Sequence, residues 1–194
     1  MRRVMLFFGS FNPVHKGHMA VAEYVVAQDL CDELWFVVSP QNPFKQAGEL
    51  MDERHRLEMV RLATAESLYG RQMRVCDIEF SLLRPSYTID TLDVLRLKYR
   101  DVRFLILAGS DITMQIGNWK ESERLLSDYR VYIYPRKGYD IYGPERFVVL
   151  ENAPFEEFSS TEARKELLSG GTCCDTLPDS VCKYIKTNRL WTIL

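Results

Sequence analysis

Two of the three histidines in this 194-residue chain stand three residues apart, in Gly9-Ser10-Phe11-Asn12-Pro13-Val14-His15-Lys16-Gly17-His18. The string leaves an apolar run, Val4 to Phe8, and enters a segment of helical period. Imidazoles at that spacing can face one site once the first helical turn has begun. A helix start behind a strand offers free N–H groups and a partial positive charge, a setting that suits phosphate. Gly9 permits close backbone approach, and Gly17 is expected to let the chain turn tightly between the two rings. The segment is not a Walker A loop, because no Gly-Lys-Ser/Thr ending follows, and Gly-x-Gly-x-x-Gly is absent too. Two histidines could also begin a metal site, but no third ligand is indicated.

A second phosphate-ready start lies near the other end of the chain. Ser159-Ser160-Thr161-Glu162-Ala163-Arg164 brings three hydroxyls and an arginine one turn in, and Ser159 to Glu162 has capping-box spacing. Between the two lie residues with more than one reading. Thr88 suits a helix N-cap. Trp119 suits either a core or, given Asn118, Lys120 and Glu121 beside it, a half-exposed ring that could stack on a flat heterocycle. Asp111 suits a turn and Arg136 a solvated strand end. His55, between Arg54 and Arg56, reads as a solvated residue on a polar helix face.

These residues need a frame. Val4–Phe8, Leu34–Val38, Val75–Ile78, Phe104–Leu107, Val131–Tyr134 and Phe147–Leu150 read as strands. Between them, Met19 to Leu30, a segment from Asp52 through Ala63, and Ile89 to Leu95 carry helical spacing. Continuous apolar strands alternating with helices predict a parallel sheet covered on both faces, an α/β fold. A helix from Ser159 ends at Gly170-Gly171, and Leu177-Pro178 opens a last one with Val181, Tyr184 and Ile185. No repeat or linker interrupts the chain, so residues 1–194 are expected to form one domain, with a small helical C-terminal piece over about 159–194.

Composition narrows the class. Hydrophobic residues make up 46% and charged residues 27%, enough apolar material for a core without disulfides or a structural metal. A net charge of -2 argues against broad nucleic-acid binding. No run approaches the roughly 18 apolar residues of a membrane span, and the first is too short for a signal core, so a cytoplasmic protein is expected. The cysteines, Cys31, Cys76, Cys173, Cys174 and Cys182, are odd in number and include no Cys-x-x-Cys pair, so they read as reduced thiols.

The His15-Lys16-Gly17-His18 string resembles the signature of the HxGH nucleotidyltransferase superfamily. The segment from Phe158 through Arg164 resembles its second signature, the Ile-Ser-x-Thr-x-Ile-Arg string. Three further segments are similar to bacterial nicotinate mononucleotide adenylyltransferases: Ser86-Tyr87-Thr88 with Asp90-Thr91-Leu92, Ala108-Gly109-Ser110-Asp111, and Trp119 with Leu125. Pro135 to Tyr139 and the ending from Leu177 match in order as well.

The resemblance implies a Rossmann-like open parallel sheet and transfer of the adenylyl group of ATP to nicotinate mononucleotide. It implies His15 and His18 as catalytic residues at the reacting phosphates, with Mg²⁺ accompanying ATP. Gly9, Ser10, Phe11, Lys45, Ser159, Ser160, Thr161 and Arg164 fall to the phosphates of ATP. Gly109 and Asp111 fall to the nucleotide ribose, and Thr88, Trp119 and Arg136 to the mononucleotide. One departure stands out: in Gln41-Asn42-Pro43-Phe44-Lys45, Lys45 matches a basic residue but Phe44 takes the place of a histidine. The expected partners are the two substrates, with no nucleic acid and no membrane, and homo-oligomer formation is left open. The rival expectations are a related transferase with another acceptor (nicotinamide mononucleotide, flavin mononucleotide or phosphopantetheine) and a non-catalytic nucleotide sensor.

Overall fold

The computed structural model describes residues 1–41, 50–154, 158–172 and 175–191. Six strands form one sheet: β1 (Arg2–Gly9), β2 (Glu33–Val38), β3 (Met73–Cys76), β4 (Val102–Gly109), β5 (Val131–Tyr134) and β6 (Val148–Val149). Their order is β3-β2-β1-β4-β5-β6, and every neighbouring pair is parallel. The order reverses at β1 and β4, which pair from Arg2 with Val102 to Phe7 with Leu107. A crevice opens at such a reversal, beyond the carboxyl ends of the strands.

Alternation along the strands feeds two cores, one on each face of the sheet. Met5, Phe7, Leu34, Phe36, Leu105 and Leu107 point to one side, where they meet α1 (Lys16–Ala27), α2 (Glu53–Glu66), α5 (Ser160–Leu168) and α6 (Asp179–Asn188). Val4, Leu6, Trp35, Val37, Phe104 and Ile106 point to the other, against α3 (Thr88–Lys98) and α4 (Ser122–Asp128). Because both faces are covered, the strands read as unbroken apolar runs rather than as alternating ones. Truncating a buried leucine in cores of this kind typically costs ~2–5 kcal/mol.

Most expected boundaries stand. Asp52 caps α2 by accepting from the Arg54 N–H at 2.8 Å, and Ser159 caps α5 by accepting from the Glu162 N–H at 3.1 Å. Gly170, at φ +84°, takes the left-handed conformation that follows a helix end. α6 begins after Pro178 and buries Val181, Cys182 and Ile185 in the first core. β3 lies two residues before its expected position, and Ile78 belongs to a 3-10 turn instead. Helix α4 has no counterpart in the sequence reading: its seven residues are too few for a periodic signal. Thr88 is not an N-cap. Tyr87 holds that position and no side chain caps α3.

Candidate active site

A cleft of about 330 Å³ sits at the crevice between β1 and β4, a size suited to a small molecule. Each expected site residue among the described ones lines it. Lys45, with the rest of the Asn42–Lys45 loop, lies outside the described residues.

Its centre is a pair of imidazoles built into the start of α1. His15 is the N-cap, and its Nδ1 accepts the backbone N–H of His18 at 3.3 Å. In return the Nδ1 of His18 accepts the backbone N–H of His15 at 3.2 Å. This is a capping box made of two histidines, and the rings stack with centroids 3.6 Å apart. Accepting at Nδ1 requires that nitrogen to be unprotonated, which places the proton of each neutral ring on Nε2. His15 is buried, and desolvation, helped by the charge of Arg136, lowers its pKa to about 3. Its ring is therefore neutral at ordinary pH.

The glycines serve this arrangement differently from expectation. Gly17 is an ordinary buried residue of α1 and makes no turn. The unusual backbone belongs to Phe11, at φ 44°. That left-handed conformation is uncommon for a bulky residue and is held by packing. The Phe11 ring meets Phe36, His18 and Phe7 edge-on at 5.4, 5.2 and 5.6 Å. A Cβ on Gly9 would stand 2.8 Å from the Phe11 ring, so the close approach that Gly9 permits is that of Phe11. Gly109 makes room in the same way for Arg136 and Asp111.

Two arginines tie the histidine end together. Arg164, on α5, donates to the carbonyl of Asn12 at 2.7 Å, and Ser160 donates to the carbonyl of Pro13 at 2.9 Å. The α5 start is thus bolted to the histidine loop. Arg56, on α2, is 1% exposed and donates to four carbonyls: Met51, Ser10, Ser39 and Pro40, at 2.7–2.9 Å. Burial lowers its pKa to about 10, so it remains a cation beneath the loop of Ser10. Nothing in the local sequence signals this role, since Arg56 sits among polar neighbours on a helix. His55 is likewise not solvated: it is half-buried, and its Nδ1 lies 2.8 Å from the Tyr184 hydroxyl on α6.

The far end is built from α3 and the loops after β4 and β5. Thr88 is the first residue of α3, and the first helical bond runs from Thr91 N–H to the Tyr87 carbonyl. Trp119 is half-buried, as its polar neighbours suggested. Lys120 beside it binds both oxygens of Asp90 at 2.7 and 2.8 Å and lies 5.3 Å from the Tyr87 ring centroid. It places a cation near Thr88 that comes from another segment of the chain. Arg136 donates to Asp111 at 2.8 Å. A buried carboxyl that sequence reasoning passed over, Glu79, stands against this wall. It is 2% exposed and accepts from Ser86 at 2.6 Å and Thr91 at 2.9 Å. Among the described residues no group of three His, Cys, Asp or Glu could cage a metal ion, and no helix is long and apolar enough to cross a membrane.

A parallel sheet with a phosphate-ready crevice and paired imidazoles at a helix start defines a nucleotide-handling transferase, and the cytidylyltransferase-like family model matches residues 6–166. The probable nicotinate-nucleotide adenylyltransferase of Bacteroides fragilis is 42% identical over 167 residues, covering 85% of this chain and 82% of its own. That of Azobacteroides pseudotrichonymphae is 35% identical over 188 residues, covering 96% and 97%. Among solved structures, Plasmodium falciparum nicotinic acid mononucleotide adenylyltransferase complexed with NaAD superposes with a TM-score of 0.85 over 98% of both chains, at 22% identity, a likeness of fold. The chain belongs to the cytidylyltransferase-like family, among the nicotinate-nucleotide adenylyltransferases.

Proposed function

We propose that this cleft joins ATP to nicotinate mononucleotide and that the reciprocal histidine box is its catalytic centre. An oxygen of the mononucleotide 5′-phosphate attacks the α-phosphorus of ATP. The new P–O bond forms as the bond to the β-phosphate oxygen breaks, giving nicotinate adenine dinucleotide and pyrophosphate. The attacking phosphate is already anionic, so no protein nucleophile or base is required, and catalysis is positioning plus charge stabilisation. The observation that carries this reading is the shared use of Nδ1 for backbone capping. It supports Nε2–H as the group each ring turns to phosphate oxygens, fixed in place before substrate arrives.

Ser10, the backbone after Gly9, and the hydroxyls of Ser159, Ser160 and Thr161 hold phosphate in this reading. Arg164, and Lys45 from its loop, neutralise the triphosphate. Asp111 and Gly109 take the ribose. Mg²⁺ would arrive with ATP, since it dehydrates reluctantly and is commonly carried on substrate phosphates, so the chain's own part is to hold those phosphates through Ser10, the α5 hydroxyls and Arg164. When bound it offsets developing charge on the phosphates.

Trp119 stacks on the pyridine ring, with Thr88 and Arg136 at the same end. The uncapped start of α3 lines the cleft there, and first-turn N–H groups favour a carboxylate. A carboxylate accepts at both oxygens, whereas an amide presents an N–H₂ group that such donors leave mispaired. Pyrophosphate release with ATP and a panel of acceptors tests the reading. The expected result is the highest kcat/KM with nicotinate mononucleotide. Equal values with nicotinamide mononucleotide, or preference for the amide, overturn the acid assignment.

A further inference from the structure

Glu79 plays no part in the phosphate chemistry, yet it is buried in the wall of the cleft. Its partners come from three places. Ser86 precedes the α3 start, Thr91 lies on the first turn of α3, and the side chain of Ser39 follows β2. Burial raises the Glu79 pKa, while hydrogen bonds from Ser86, Ser39 and Thr91 favour the ionised form. The hydroxyls of Ser86, Ser39 and Thr91 thus converge on one buried carboxyl, which accepts from them. Two of the three partners bracket Tyr87 and Thr88, the residues that open α3 onto the cleft. The Thr91 hydroxyl also lies 3.3 Å from the Tyr87 carbonyl, so its one proton is shared between that carbonyl and the nearer Glu79. No side chain caps α3 at Tyr87; Ile89 and Leu92 anchor its apolar face in the core, and Glu79 supplies the polar tie to its first turn through Thr91. The network continues through Ser39, whose carbonyl binds Arg56, which binds the carbonyl of Ser10.

We propose that Glu79 is the positioning residue of the mononucleotide end, setting the segment from Ser86 to Thr91 so that Thr88 and the first N–H groups of α3 meet the pyridine carboxylate. This rests on the assignment of that end to nicotinate mononucleotide.

The test is steady-state kinetics of Glu79→Ala and Glu79→Gln with both substrates. Glu79→Ala is expected to raise the KM for nicotinate mononucleotide by roughly tenfold or more, since it removes hydrogen bonds to a charged group. The KM for ATP and kcat should stay within about twofold. Glu79→Gln should recover most of the loss: its carbonyl accepts from Ser86, and its N–H₂ donates to Thr91, which keeps its own bond to Tyr87. A structural role alone would lower thermal stability and move both KM values together. Equal rises in both KM values for the soluble Gln variant, or an unchanged mononucleotide KM in the Ala variant, overturn the proposal. Trp119→Ala separates this from the underlying reading. If Trp119→Ala raises the mononucleotide KM and Glu79→Ala does not, only the role of Glu79 falls. If neither does, the assignment of that end falls with it.

Discussion

The two ends of the cleft are built on opposite plans. At the histidine end, to which we assign the phosphates, the protein satisfies itself: His15 and His18 cap each other, Ser159 caps α5, and Arg164 and Arg56 stitch loops together through carbonyls. At the α3 end, to which we assign the mononucleotide, the surface is left open. α3 starts without a side-chain cap, Tyr87 is exposed, and the Lys120–Asp90 pair is a solvent-facing bridge. The difference follows from what each end has to do. Charge moves between phosphates in the transition state, so donors there must be fixed beforehand. A flat ring with a carboxylate undergoes no bond change, and the ligand itself can supply the missing cap.

This contrast can be broken in four places. The largest effect is expected from His18→Ala, which should keep the global fold, loosen the first turn of α1 and lower turnover by roughly 10² to 10³. A folded variant with near-normal turnover would place the chemistry elsewhere. Next comes Arg164→Ala. Losing a charge-assisted contact of about 1.5–3 kcal/mol should raise the KM for ATP roughly 10- to 100-fold, more than that for the mononucleotide. A rise confined to the mononucleotide would reverse the assignment of the two ends.

The third is a dependence on pH. The pKa of His15 is lowered from 6.5 to about 3 in the folded chain, so between these values the unfolded chain binds a proton that the folded one refuses. Its contribution to stability is therefore complete above pH 6.5 and is lost as pH falls, at about 1.4 kcal/mol per unit. Denaturant titrations at pH 7.5 and pH 5 should show the wild type losing roughly 2 kcal/mol more than His15→Asn, which keeps a capping acceptor. Identical losses would mean that the ring is not held neutral by burial. The smallest effect is expected from Lys120→Met at the open end. An exposed ion pair contributes only about 0.2–1 kcal/mol, so the acid-over-amide ratio should change by less than about fivefold. A tenfold collapse would move recognition of the carboxylate from the α3 backbone to this ammonium.

The parts legible in the sequence were those written in contiguous residues. Strands buried on both faces show as apolar runs, and caps such as Asp52 and Ser159 show as a residue and a spacing. The histidine string and the Ser159–Arg164 string show as helix starts because the residues that build each start are contiguous, and both line the cleft. What stayed hidden depends on distant chain. Arg56 looks solvated beside His55 and Glu58, and only the convergence of three loops gives it carbonyls to bind. Glu79 belongs to a short turn, and its partners lie up to 40 residues away along the chain. Gly9 suggests a close approach by type, but nothing local says that the group which comes close is a ring two residues on. Thr88 fits a cap by type, yet the backbone begins α3 one residue earlier than that role would need.

The mutual capping of His15 and His18 also bears on how such a chain can drift. In many enzymes a reactive side chain can be replaced while the scaffold stands unharmed, so inactive descendants persist as folded relics. Here each imidazole satisfies a backbone N–H that its partner's residue provides, and removing either ring without another acceptor in its place frays the first turn of α1. Loss of the chemistry and loosening of the helix arrive by the same substitution. A lineage that abandoned the reaction would have to rebuild that helix start with a different cap, and an aspartate or serine at position 15 would be the trace left behind.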